Sequence, residues 1–187
     1  MAEIEVFRAL LETANNRTNL VGLSTLGDFW RRHVVDSAQL LDLAPSARTW
    51  ADLGSGAGLP GVILAILLKG RPGAMVYLIE SRARRCAFLR EVAAVLALPV
   101  EVIAARAETL RLTVEVVTAR ACAPLDRLLA YARPYVERGA RGLFLKGETV
   151  EMEMVAARRR WRFDATLHPS LSDPRGRVLS VTGLADV

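Results

Sequence analysis

The sequence predicts an α/β protein: a doubly wound sheet, mostly parallel, with a C-terminal antiparallel hairpin and preceded by N-terminal helices. Three observations lead there. From Thr49 onward, short apolar strands alternate with helical segments, the pattern of a parallel sheet covered on both faces. A glycine-rich loop joins the first of those strands to the helix after it. Near the end, two apolar stretches flank a turn, Asp173-Pro174-Arg175-Gly176, instead of a further helix. With 187 residues, 52% hydrophobic and 24% charged, the chain can fill one core, and wholesale disorder is excluded.

The elements follow in order. Ile4, Phe7, Leu10, Leu11 and Ala14 recur at helical spacing, and Asn15-Asn16-Arg17 is expected to end that helix. A second amphipathic helix starts near Ser24 or Thr25, carries Phe29, Val34, Ala38 and Leu41 inward, and stops before Pro45. Both precede the alternating pattern. Residues 1–45 therefore read as a helical cap on one compact domain, 46–187. Within that domain, strands are expected over residues 50–53, 75–79, 100–104, 114–118 and 142–145. Helices are expected from the glycine loop to about Lys69, over 82–97 with Ser81 as N-cap, and over 124–137. Residues 161–167 and 178–181 form the hairpin.

Composition narrows the function. The longest apolar run, residues 62–68, is far below the ~20 residues of a membrane span. The start, Met1-Ala2-Glu3-Ile4-Glu5, is acidic and lacks the pattern of a signal peptide, so a cytoplasmic protein is expected. Cys86 and Cys122 make no disulfide framework and no zinc spacing, and both read as small packed side chains. The net charge is +5, carried almost wholly by arginine, since Lys69 and Lys146 are the only lysines. A basic surface fits a polyanionic partner such as nucleic acid; a general preference for Arg over Lys explains the composition equally well.

The loop Gly54-Ser55-Gly56-Ala57-Gly58-Leu59-Pro60-Gly61 sits between strand and helix, where an open α/β sheet binds its ligand. Four glycines in eight residues exceed what a plain turn requires. Gly56, Gly58 and Gly61 match the dinucleotide pattern G-x-G-x-x-G, while Gly54, Gly56 and Gly58 match the G-x-G-x-G loop of class I methyltransferases. Glu80, ending the next strand, could accept ribose hydroxyls in either case. Asp52 separates the two. A carboxylate at the mouth of the loop repels a pyrophosphate but suits S-adenosylmethionine, whose ammonium and sulfonium are cationic.

A wider set of residues resembles one family, the bacterial glucose-inhibited-division-B proteins (GidB/RsmG). The match runs through Asn19-Leu20-Val21, Phe29-Trp30-Arg31-Arg32-His33-Val34-Val35-Asp36-Ser37, and Asp52 to Gly61. It continues with Glu80-Ser81, Ala87-Phe88-Leu89-Arg90, Arg106-Ala107-Glu108, Thr118-Ala119-Arg120-Ala121, Ala123-Pro124-Leu125 and Lys146-Gly147. The R-H-x-x-D-S block together with A-R-A is its most specific part. The resemblance implies a class I methyltransferase (Rossmann-like) fold, with residues 46–187 as the S-adenosylmethionine-binding domain. The implied reaction is methyl transfer to ring nitrogen 7 of a guanine in 16S ribosomal RNA, on the RNA, the 30S subunit or an assembly intermediate, by a monomer.

By the same resemblance, Gly54 and Leu59 line the methionine and adenosine side of the cofactor, Gly56 and Gly58 complete the loop, and Glu80 takes the ribose. Ala107 and Glu108 flank the adenine, and Arg120 stands at the cofactor–substrate junction. As the candidate catalytic residue, Arg120 could hydrogen-bond the guanine carbonyl oxygen beside the reacting nitrogen. It could instead act purely on the cofactor side or as an ion pair within the fold. His33 and Asp36, three apart on a helix, could touch the nucleotide or form a structural pair. Lys146 could hold a phosphate or simply face solvent. Arg82, Arg84 and Arg85 open a helix, the unfavourable end for cations, which favours an external anion. Arg158, Arg159 and Arg160, with Arg162, are a further candidate RNA surface or a solvated helix end. The chemistry needs no metal and no base, because ring nitrogen 7 has an in-plane lone pair and no proton to lose. Two rival functions are a nicotinamide-dependent oxidoreductase and a cofactor-binding ribosome-assembly factor without transfer activity.

Overall fold

The strands are β1 (Thr49–Leu53), β2 (Met75–Glu80), β3 (Val100–Ala104), β4 (Val116–Arg120), β5 (Arg141–Lys146), β6 (Trp161–Pro169) and β7 (Arg177–Asp186). They form one sheet in the order β3-β2-β1-β4-β5-β7-β6. β1 to β5 pair in parallel, and β7 runs antiparallel between β5 and β6. The hairpin is thus spliced into the sheet with its second strand innermost, unlike the 3-2-1-4-5-6 order of dinucleotide-binding sheets. The computed structural model describes residues 1–22 and 26–187, so the helix start expected near Ser24 or Thr25 lies outside the described residues.

The helices divide between the two faces. On one lie α1 (Ala2–Thr18), α2 (Asp36–Leu43), α3 (Gly61–Leu68) and α4 (Ala83–Val95), sharing a core that includes Phe7, Leu11, Phe29, Leu40 and Leu89. On the other, α5 (Leu125–Val136) and α6 (Val150–Ala157) belong to a second core with Leu129, Tyr135, Phe144 and Trp161. α3 is apolar all round and buries seven of its eight residues. A helix of that kind needs cover on every side, and α1 supplies it by packing against α3 and α4.

Several boundaries differ from the sequence expectation. α1 continues past Asn15-Asn16-Arg17 to Thr18 because Asn15 turns inward. Its Oδ1 accepts the backbone N–H groups of Leu20 (2.6 Å) and Val21 (2.9 Å), and its amide donates to the Val21 carbonyl (3.1 Å). Residues Trp30–Val35 wind as a π-helix. This wider winding shifts the inward face by a residue, so Ser37 and Leu40 are fully buried, whereas Ala38 and Leu41 are only half-buried. Ser81 does not cap α4, which begins at Ala83 with no side-chain cap from its preceding residue. The Glu80 carboxylate takes that role, accepting the Arg82 N–H at 2.8 Å. β4 starts two residues late, at Val116, because Glu115 is committed elsewhere: its carboxylate accepts the backbone N–H groups of Arg48 (2.7 Å) and Thr49 (2.8 Å), clamping the start of β1. The hairpin strands are longer than their apolar stretches, since main-chain pairing continues through polar positions.

Candidate functional site

Strand register brings the singled-out residues to one edge. Glu80 pairs with Ala104, Asp52 with Thr118, Arg120 with Leu145, and Lys146 with Arg177, so the C-terminal ends of the parallel strands are level. A cleft of about 580 Å³ opens there, within the size range of small-molecule sites. The glycine loop forms one wall through Gly54, Ser55, Gly56, Ala57 and Leu59. The facing wall holds Arg32, His33, Asp36 and Arg120, together with the β6–β7 turn at Ser170, Ser172 and Asp173.

Gly54 and Ser55 donate their N–H groups to the Ile79 carbonyl (2.8 and 3.0 Å), pinning the loop to β2. Gly56 (φ 53°) donates to Glu80 Oε2 at 3.1 Å. A Cβ on Gly58 (φ 86°) would stand 2.5 Å from Val62 Cγ2, so that glycine serves packing. On Gly56 the nearest atoms, the Gly54 carbonyl oxygen and Arg85 Nη1, would be at ordinary contact distances of 3.6 and 3.7 Å, so there the positive φ and not crowding calls for glycine. Glu80 is 5% exposed and touches the cleft only through Gly56 and Arg85; Ala107 and Glu108, just beyond β3, are not among the residues lining it. The Ala107 carbonyl accepts the Tyr135 hydroxyl (2.9 Å), and Glu108 lies 3.7 Å from Arg106. Cys86 is buried and Cys122 half-buried. Burial pushes the Cys122 thiol up to about 11, so it is no nucleophile near neutral pH.

Asp52 is not at the mouth of the loop. It lies beneath it with no exposed surface, and Oδ2 accepts the Gly61 N–H at 3.2 Å. Oδ1 is buried with no hydrogen-bond partner among the described residues. Burial drives its pKa up to about 7, with Ser55, Gly61 and Arg120 acting in the opposite direction. The side chain is therefore poised between neutral acid and anion, and a nearby cation would settle it as the anion.

Arg120 gathers the facing wall. One guanidinium nitrogen, Nη1, reaches the Arg32 carbonyl (2.9 Å), His33 Nδ1 (2.9 Å) and Asp36 Oδ2 (3.3 Å). Arginine has donors only, so Nδ1 accepts and the ring proton sits on Nε2. Burial and the Arg120 charge lower the His33 pKa to about 4, keeping the ring neutral. His33 and Asp36 are thus two props of one arginine and not a pair with each other. Nε and Nη2 of Arg120 have no partner among the described residues, and Arg120 lines the cleft.

Lys146 neither faces solvent nor stands free: Nζ lies 2.7 Å from Glu153 Oε2, and its side chain is 10% exposed. Arg85 lines the cleft 3.6 Å from Glu80, while Arg82 and Arg84 are exposed at the start of α4. Arg158, Arg159 and Arg160 are not at this edge. β6 runs from Trp161 to Pro169, and Pro169 is its cleft end, so they lie about 25 Å away at 3.3 Å per residue.

Sequence reasoning did not single out the β6–β7 turn as a wall. Ser172 Oγ donates to Asp36 Oδ1 (2.6 Å), and the Leu171 N–H donates to Gln39 Oε1 (2.8 Å), tying the turn to α2. A turn-rich run, Ser170 to Gly176, was the visible signal; its docking partner some 130 residues earlier was not.

A family model described as GidB: rRNA small subunit methyltransferase G matches residues 1–176. Ribosomal RNA small subunit methyltransferase G of Caulobacter sp. (strain K31) is 60% identical over 187 residues, spanning 100% of this chain and 85% of the relative. The protein of the same name from Caulobacter vibrioides (strain NA1000 / CB15N) is 57% identical over 181 residues, 97% of this chain and 84% of the relative. Among solved structures, a SAM dependent methyltransferase from Aquifex aeolicus is similar in fold, with TM-score 0.62 at 17% identity over 86% of this chain and 96% of that one. A mutant of MtNAS in complex with S-adenosylmethionine has TM-score 0.58 at 18% identity, over 96% of this chain and 71% of that one.

Proposed function

Because the chain belongs to the GidB family of rRNA small subunit methyltransferases, we propose that the atom it methylates is ring nitrogen 7 of a guanine. The chain is a methyltransferase of small-subunit ribosomal RNA that uses S-adenosylmethionine, on a class I, Rossmann-like fold. The nicotinamide-dependent and transfer-inactive readings are not favoured.

The residues present suit that cofactor. Gly54, Gly56 and Leu59 line the cleft, and beneath the loop lies a buried carboxylate with one unpartnered oxygen, whose charge favours a cationic ligand above it. Gly54, Gly56, Ala57 and Leu59 would hold the methionine and adenosine side, Glu80 the ribose, and Ala107 and Glu108 the adenine. Gly58 and Asp52 would support the loop from below. When bound, the cofactor supplies a methyl group on a sulfonium, an electrophile for a lone pair.

The state of the cleft's titratable groups carries the choice of target atom. His33 is neutral, and its Nδ1 is occupied by Arg120. Asp36 and Glu153 are ion-paired with Arg120 and Lys146. The Asp173 carboxyl is held below its usual range by the Arg175 N–H, which makes it a weaker base. Asp52 is sealed under the loop. Among the described residues of the cleft none of these groups is prepared to remove a proton, which suits a nucleophile that has none to lose. The wall then works by orientation. Arg120 is the proposed catalytic residue, its Nε and Nη2 donors placed to hold the guanine carbonyl oxygen, the neighbour of nitrogen 7. His33 and Asp36 keep it aimed. Lys146, released from Glu153, is a candidate for a phosphate.

The proposed setting is the cytoplasm, the proposed substrate a 30S subunit or its assembly intermediate, and the proposed state a monomer. No described helix is long and apolar enough to cross a membrane. The test is to incubate small-subunit rRNA with the protein and labelled S-adenosylmethionine, then apply reduction and aniline, which cleave RNA at 7-methylguanosine. Cleavage at one guanine is expected; methyl incorporation without cleavage would place the methyl on another atom.

A further inference from the structure

Some arginines of the chain meet carboxylates, among them Arg8 with Glu12, Arg31 with Asp28, Arg120 with Asp36, and Arg133 with Glu137 and Asp186. Others, such as Arg48, Arg71 and Arg141, bond to backbone carbonyls or a hydroxyl. Arg158, Arg159, Arg160 and Arg162 meet no carboxylate. Four guanidinium groups within five residues have no ion pair among the described residues, and Arg158 and Arg160 are held flat instead. The Arg158 guanidinium carbon lies 4.6 Å from the Phe163 ring centroid and that of Arg160 4.9 Å from Trp161. Stacking of this kind fixes a guanidinium while leaving edge donors available; Arg158 spends one, Nη1, on the Phe163 carbonyl (3.3 Å). A shallow groove at this end of the hairpin is lined by Arg158, Trp161, Arg162, Phe163, Asp164 and Gly183, so two of the four arginines border it.

The dipole of α6 accounts for part of this, because Arg158 to Arg160 follow its C-terminus, where cations are favoured. It does not account for Arg162, which projects from β6 and bonds to the Asp186 carbonyl (3.3 and 3.4 Å), nor for the lack of counter-charges. Among the described residues Asp164 is the one carboxylate on the groove wall, and the nearby Asp186 carboxylate is taken by Arg133.

We infer that Arg158, Arg159, Arg160 and Arg162 form a second RNA-binding face, which grips the phosphate backbone of ribosomal RNA at the end of the sheet opposite the cleft. The inference rests on the reading of the chain as an rRNA methyltransferase. Its reach follows from β6, whose nine residues separate this face from the cleft wall by about 25 Å. RNA held there is a different part of the substrate from the guanine in the cleft. The surface reads shape and charge, since guanidinium–phosphate contacts carry no base information.

The test uses the full chain with Arg159→Gln and Arg162→Gln combined, because neither side chain stacks on a ring. Affinity for small-subunit rRNA is measured without cofactor across a salt series, and methyl transfer separately on the same RNA. Loss of two phosphate contacts should weaken binding roughly tenfold at 0.15 M salt and flatten the log–log salt slope by about 1.5. KM for the long RNA should rise by a similar factor with kcat unchanged. A fragment of about ten nucleotides around the methylated guanine should be methylated equally by both proteins. Arg159→Lys with Arg162→Lys should restore the slope. An unchanged slope, or equal losses on the short fragment, would overturn the second face; so would a loss seen only on the protein-containing particle, which would assign the patch to a protein partner. If wild-type protein transfers no methyl group, the functional reading fails, while the binding series still decides this face.

Discussion

The pH dependence of the reaction tests the cleft most directly, because folding exchanges the roles that two residues have in model peptides. A solvated histidine titrates near 6.5 and an aspartic acid near 4. Here burial and Arg120 take His33 down to about 4, while burial takes Asp52 up to about 7. At pH 6 only about 1% of His33 carries a proton. With saturating S-adenosylmethionine, the single-turnover rate should therefore stay flat from about pH 6 to 8.5 in wild type and in His33→Gln. Affinity for the cofactor behaves differently. If the cationic ligand returns Asp52 to its ordinary range, binding must first release its proton. Affinity should then fall about tenfold between pH 8 and pH 6, some 1.4 kcal/mol. Calorimetric titration at the two pH values reads this, and Asp52→Asn should abolish the dependence. A limb near pH 6.5 at saturating cofactor that vanishes in His33→Gln would refute the base-free mechanism and point to an exocyclic or ribose target. A wild-type affinity as flat as that of Asp52→Asn would refute the coupling of the buried acid to the loop.

Other substitutions probe the same construction. The folded state holds the Asp52 proton to about pH 7, whereas the unfolded chain releases it near 3.8, so this group's contribution to unfolding free energy falls as pH rises through that window. The whole effect is at most about 4 kcal/mol. His33 contributes the opposite slope between about 4 and 6.5, so the effect is read as wild type minus Asp52→Asn in urea titrations; a difference independent of pH would contradict the burial. Asp36→Ala removes the anion beside Arg120 and the acceptor for Ser172. Both partners of the ion pair keep some exposure, so the expected loss is ~1–3 kcal/mol, below that of a fully buried pair; unchanged urea midpoints would count against the bridge. Arg120→Lys should lower single-turnover methyl transfer about a hundredfold with cofactor affinity little changed, since lysine lacks the two-pronged donor. Equal losses in both would place Arg120 on the cofactor. Gly58→Ala should destabilise by ~2–4 kcal/mol through its clash with Val62 and its positive φ. Gly56→Ala should cost the fold only ~1–2 kcal/mol while weakening cofactor binding; comparable thermal midpoints for the two would refute the division of labour.

Whatever depends on local pattern was legible along the chain. Alternating apolar strands and helices define a parallel sheet, because only strands buried on both faces can be continuously apolar. The glycines of the 54–61 loop define a sharp strand-to-helix turn, because the positive φ of Gly54, Gly56 and Gly58 suits few residues other than glycine. Properties set by neighbours distant in the chain emerged only on folding. Asp52 reads as an anion until β1, α3 and the loop bury it. His33 and Asp36 read as a pair until Arg120, more than 80 residues on, draws both. Lys146 reads as exposed until α6 returns Glu153 to it. The inward face of the helix leading to Leu43 was misread because a π-turn has no signature in hydrophobic spacing. Composition could place Arg158 to Arg160 on a basic surface, but only strand register could set them at the far end of the sheet. Spacing along the chain encodes backbone conformation; charge state and partner choice depend on desolvation and on distances that exist only once the chain has closed on itself.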